Sequence, residues 1–143
     1  MADAHGFIGL GMHALGHGAE VEGHIKEALR LSPRDTRAFL WFMIAGMAKL
    51  TIHADTEALE WLRQSIKANP NFALAQFHLA GTLAMQGDLK EARSSAAAGL
   101  ALDPNFTIHR YDVSSVFLSD SRTWLAIRQR FSEGMRLAGV PNK

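Results

Sequence analysis

Three segments that end in proline recur along the chain: LRLSP at Pro33, IKANP at Pro70 and LALDP at Pro104, separated by 37 and then 34 residues. A period in the thirties marks stacked helical hairpins, in which no unit buries its apolar face except against a neighbour. Setting the prolines in register aligns the residues before them: Val21, Ala58 and Ala92; Ile25, Leu62 and Ala96; Ala28, Ser65 and Gly99; Leu29, Ile66 and Leu100. Offsets of three and four residues make these one helical stripe, and small side chains in two of its rows admit another helix at close range. Glu20, Glu57 and Glu91 align as well, near the helix starts, where the dipole favours a carboxylate. Each helix is expected to stop at the residue before its proline, which is pushed out of helical geometry.

A partner helix precedes each of these, over about residues 4–15, 36–51 and 72–86. The connections Gly16–Gly18, His53-Ala54-Asp55 and Gln86-Gly87-Asp88 supply turn chemistry, with Asp55 expected to cap the helix it opens. The extra three residues of the middle repeat fall between Pro33 and Gly46. After Pro104 the register is lost. A short helix is expected within 105–117, and Ser119-Asp120 is placed to cap a final helix over 121–137. There Trp124, Ile127, Phe131 and Met135 form an apolar stripe suited to covering the open end of a stack, while Arg122, Arg128, Arg130 and Arg136 largely lie off it. Gly139 and Pro141 end the chain's last helix.

These residues resemble the tetratricopeptide repeat (TPR) family, built from 34-residue helix-turn-helix units. The third unit carries Leu79-Ala80, Gly87, Leu89, Ala92, Gly99 and Pro104 at the family's positions. The second has Phe42, Gly46, Ala58 and Pro70, but Lys49, His53 and Asp55 depart from the pattern; the first has Gly9, Gly16, Ala28 and Pro33, with Val21 in place of alanine. The resemblance implies an all-α, right-handed superhelix in a single domain: hairpins over about 2–35, 36–72 and 73–106, then a C-terminal cap over about 107–139. The wording of EALRLSPRD, NPNFALAQFHLAGTLAMQGDLKEA and EGMRLAGVP also resembles the C-terminal repeat region of bacterial adenylate-cyclase-type signalling proteins, without a cyclase domain. A regulatory or interaction module is what that likeness implies.

Composition narrows the function classes. A net charge of +1 with 20% charged residues argues against nucleic acid as a partner, and cysteine is absent, which excludes disulfides, thiolate metal sites and a cysteine nucleophile. The start MADAHGFIGLGMHALG has no basic flank and an interrupted apolar stretch, so a cytoplasmic location is expected. The apolar run 39–48 is about half the length that spans a bilayer, which makes it a buried helix segment and leaves no membrane partner.

By the resemblance, the first helix of each hairpin lines a concave groove. The matching positions are Leu40, Met43, Met47 and Leu50 in the second repeat and Leu74, Phe77, Gly81 and Met85 in the third. A different stripe, Ala38, Phe42 and Ala45 or Ala75, Leu79 and Leu83, already serves the core, so the groove residues are surplus apolar surface, suited to an apolar peptide or helix. The alternatives are coverage by the chain itself, by its C-terminal helix, or by a second copy in a homodimer. No cofactor or metal is expected: His13 and His17 share a four-residue spacing, but Gly16 and Gly18 put His17 in a turn and spacing fixes no third ligand. Gly9-Leu10-Gly11 follows no strand, and Asp112, Ser114 and His109 have no nucleophile elbow, so a non-enzymatic scaffold is the expectation.

Overall fold

A computed structural model of the protein describes residues 18–115 and 122–143. Among these there are helices and no strands: α1 Gly18–Leu31, α2 Ala38–Thr51, α3 Asp55–Ala68, α4 Ala73–Met85, α5 Leu89–Leu102, α6 Ile108–Ser115 and α7 Arg122–Leu137. The helix expected over 4–15, the His13 and His17 pair, Gly9-Leu10-Gly11 and the Ser119-Asp120 cap lie outside the described residues. The chain divides into two compact units, Met1–Asn69 and Pro70–Lys143.

The proline register governs the helix ends, one residue earlier than expected. α1, α3 and α5 stop two residues before Pro33, Pro70 and Pro104. Asn69 (φ −144°, ψ 92°) and Asp103 (φ −133°, ψ 84°) are extended, as a residue preceding proline prefers. Three of the four aligned rows are buried in all three copies, with Val21, Ala58 and Ala92 fully enclosed, while Leu29, Ile66 and Leu100 are half-buried. Hairpin turns differ between copies. Asp88 caps α5, its carboxylate accepting the Glu91 N–H at 3.2 Å, whereas Ala54 holds the equivalent position of α3 and caps nothing with its side chain. Asp55 is instead the first residue of α3, where its charge meets the dipole.

In the first unit Val21 and Ile25 of α1 pack with Trp41, Ile44, Ala45 and Ala48 of α2, flanked by Leu29, Leu40 and Trp61. Gly46 lets α3 approach: a β-carbon there would lie 3.0 Å from Leu62 Cγ and 3.2 Å from the Ala58 carbonyl oxygen. Ser65, buried in the small-residue row, donates to the Phe39 carbonyl at 2.7 Å and so links α3 to α2. Lys49 of α2 pairs with Glu22 of α1 and, at 2.8 Å, with Glu57 of α3.

In the second unit α5 packs along one side of α4, and α7 along another. Ile127, Phe131 and Met135, three of the four residues expected to form the stripe of the last helix, are buried. The end of the chain turns back on α6, whose first N–H groups, those of Ile108 and His109, donate to the Pro141 and Asn142 carbonyls at 2.9 Å each. Those donors have no partner within their own helix, so the tail completes α6.

Candidate partner-binding face

α2 and α4 are apolar around nearly their whole circumference, the pattern of a helix covered on every side. Of the eight residues expected to line a groove, Met43, Met47 and Leu50 on α2 and Phe77 and Gly81 on α4 are buried; Leu40 and Leu74 are half-buried; Met85 is 39% exposed. Leu40 leans on the Val21–Trp41 cluster and belongs to the edge of that core.

On α4 the covering groups can be named. The tip of the Phe77 ring meets Gly99 of α5, where a β-carbon would sit 2.9 Å from it, and Phe106 stacks on the ring with centroids 3.7 Å apart and planes 10° from parallel. Gly81 faces α7: its own β-carbon would lie 3.2 Å from the Phe131 carbonyl oxygen, and one on Gly134 would lie 2.2 Å from the Gly81 carbonyl oxygen. Two helices thus cross at backbone contact, which the absence of a side chain at Gly134 allows. Phe77 and Gly81 are interior positions, and Phe106 and α7, which seal them together with α5, come from beyond Pro104, where the repeat register carries no information. In the sequence the one signal that marks Gly134 is a glycine beside an apolar helical stripe, three residues after Phe131.

Polar groups tie α7 and α6 to this arrangement. His78, on α4 and fully buried, places Nε2 3.2 Å from the Tyr111 hydroxyl of α6 and its ring 4.4 Å from that of Phe131 on α7. Burial pushes the Tyr111 phenol well above its ordinary value, with the neighbouring Asp112 charge adding to the shift, so it stays neutral at any physiological pH. Asp112 accepts from Ser132 Oγ at 2.5 Å on its carboxylate and from Arg128 at 3.2 Å on its carbonyl. Both of these partners are residues of α7, and His109 engages the chain's tail through its backbone.

Among the described residues no helix is long and apolar enough to cross a membrane, and no three His, Asp or Glu side chains gather as a metal site would require. No family model matches the chain, and no curated protein does. A solved structure does: the crystal structure of MamA is similar over 94% of this chain and 78% of that one, with a TM-score of 0.67 at 18% identity. The fold is that of a TPR-like helical repeat protein.

Proposed function

We propose that the protein is a non-enzymatic interaction module that takes an apolar peptide or amphipathic helix on the face of α4 that carries Leu74 and Met85. One observation supports this above the others: α4 is apolar all round and already receives a helix at backbone contact beside Gly81. A surface shaped for a helix is what such a module requires. The anchors that remain accessible are Leu74 and Met85, in line with Gly81 on the same face of α4, seven residues before it and four after. Phe77 serves the core, so a charge there reports on folding and not on capture.

The test is the double change Leu74→Glu with Met85→Glu, read by affinity capture from a host lysate alongside the melting temperature. Loss of the proteins retained by the wild type, at unchanged melting, supports the reading; retention of the same proteins sinks it. Light scattering on the same pair addresses self-association, since a dimer that splits on the change would make assembly the function. A signalling context rests on the wording of the repeats alone, and inspection of the adjacent coding sequence for a cyclase catalytic domain tests it.

A further inference from the structure

We infer that the face of α4 centred on Gly81 is a helix-docking surface selective for an aromatic residue followed three positions later by glycine, held here by the chain's own α7 and open to a partner helix of that pattern once α7 releases it. This rests on the proposed interaction role and names the partner's chemistry.

Selectivity follows from the crossing. A β-carbon on Gly134 would lie 2.2 Å from the Gly81 oxygen, 2.7 Å from its carbonyl carbon and 2.8 Å from its α-carbon, so backbone, which cannot swing aside, rejects any side chain. Gly81 is matched in turn to Phe131, whose Cδ1 would lie 3.3 Å from an added β-carbon. A helix in this crossing needs glycine at the contact, and a flat ring one turn earlier packs directly on Gly81.

Incomplete cover is the second line of support. Gly81, at the centre of the face, is buried, but Met85 beyond it is 39% exposed and Leu74 before it is only half-buried. A guest helix that fills the same crossing and also covers Met85 buries apolar surface that α7 leaves wet, which gives it an advantage over the resident. The hold on α7 is built from separable parts: Phe131 against Gly81, the Asp112 bonds from Ser132 and Arg128, and the two tail carbonyls on α6. An intramolecular helix enjoys a high effective concentration, so a competitor gains access chiefly when one of these is weakened.

The experiment uses the full chain and a fluorescent synthetic peptide copying residues 122–143. Two loosened variants are compared with the wild type: Phe131→Ala, and a chain ended after Val140, which removes the tail carbonyls. The peptide is expected to bind both variants at least tenfold more tightly than the wild type, and a peptide carrying Gly134→Leu to bind none of them. Equal affinity for wild type and variants, absence of binding to folded variants, or equal binding of the leucine peptide overturns the inference. So does global unfolding of both variants, which would make α7 inseparable from the core. Should peptide exchange fail while capture still depends on Leu74 and Met85, this inference falls and the interaction role stands.

Discussion

His53 and Gly87 occupy the same place in successive repeats, 17 residues before Pro70 and Pro104. Both are left-handed, with φ of 60° and 88°. Glycine adopts that geometry freely, whereas a side chain is crowded by its own carbonyl. His53→Gly is therefore expected to raise stability by about 0.5–1 kcal/mol in urea unfolding, and Gly87→His to lower it by a similar amount. Helix-interior glycines divide by the same reasoning. Gly23 has nothing within 4 Å of where a β-carbon would stand, so Gly23→Ala is expected to stabilise by about 1 kcal/mol. Gly134→Ala drives its new carbon into the backbone of α4 and is expected to cost about 1–3 kcal/mol, although alanine is the better helix former. The contrast in melting temperature between these two alanine variants measures the crossing directly.

At the scale of the element, the departure from the repeat pattern at Lys49 has a local explanation. Its ammonium sits between Glu22 of α1 and Glu57 of α3, joining three helices of the first unit. Hydrogen bonds from Lys26 first and Lys49 second hold the Glu22 carboxyl below its ordinary value, and Glu22 first and Glu57 second hold Lys49 above its own. A depressed carboxyl contributes stability above its unfolded pKa and loses it as pH falls through the folded one; a raised ammonium contributes below its unfolded pKa and loses it as pH rises through the folded one. The cluster is therefore at full strength between roughly pH 5 and 10. Lys49→Met is expected to cost on the order of 1 kcal/mol at pH 7 and to flatten the loss of stability between about pH 5 and 3, as read from urea melts across pH. Raising the salt to about 1 M should narrow the gap between wild type and variant.

For the molecule as a whole, the repeat helices were legible because proline spacing and a threefold small-residue row report on them independently of tertiary context. Val21, Ala58 and Ala92 are enclosed as that row requires, and the apolar stripe of the last helix turns inward at Ile127, Phe131 and Met135. The fate of the surplus apolar face was not legible. Periodicity shows that Phe77 is apolar and off the intrahairpin stripe, but not that Phe106, after the register ends, lies flat upon it. Nor does it reveal that α7 meets Gly81, since that contact depends on a single glycine matched across 53 residues of chain. The second unit gathers α4 to α7 around its own aromatic centre. A fragment of residues 70–143 is therefore expected to be helical by circular dichroism and to unfold cooperatively; a featureless melt would contradict this.

The phenyl ring of Phe77 against Gly99 carries an evolutionary consequence. Serine and alanine occupy the same row in the other two copies, yet here either would have to push this ring aside, because the first carbon of any side chain would stand 2.9 Å from it. Positions 77 and 99 are therefore coupled: enlarging the second is expected to favour a smaller first, and a repeat moved into this place would bring a residue the ring has to make room for.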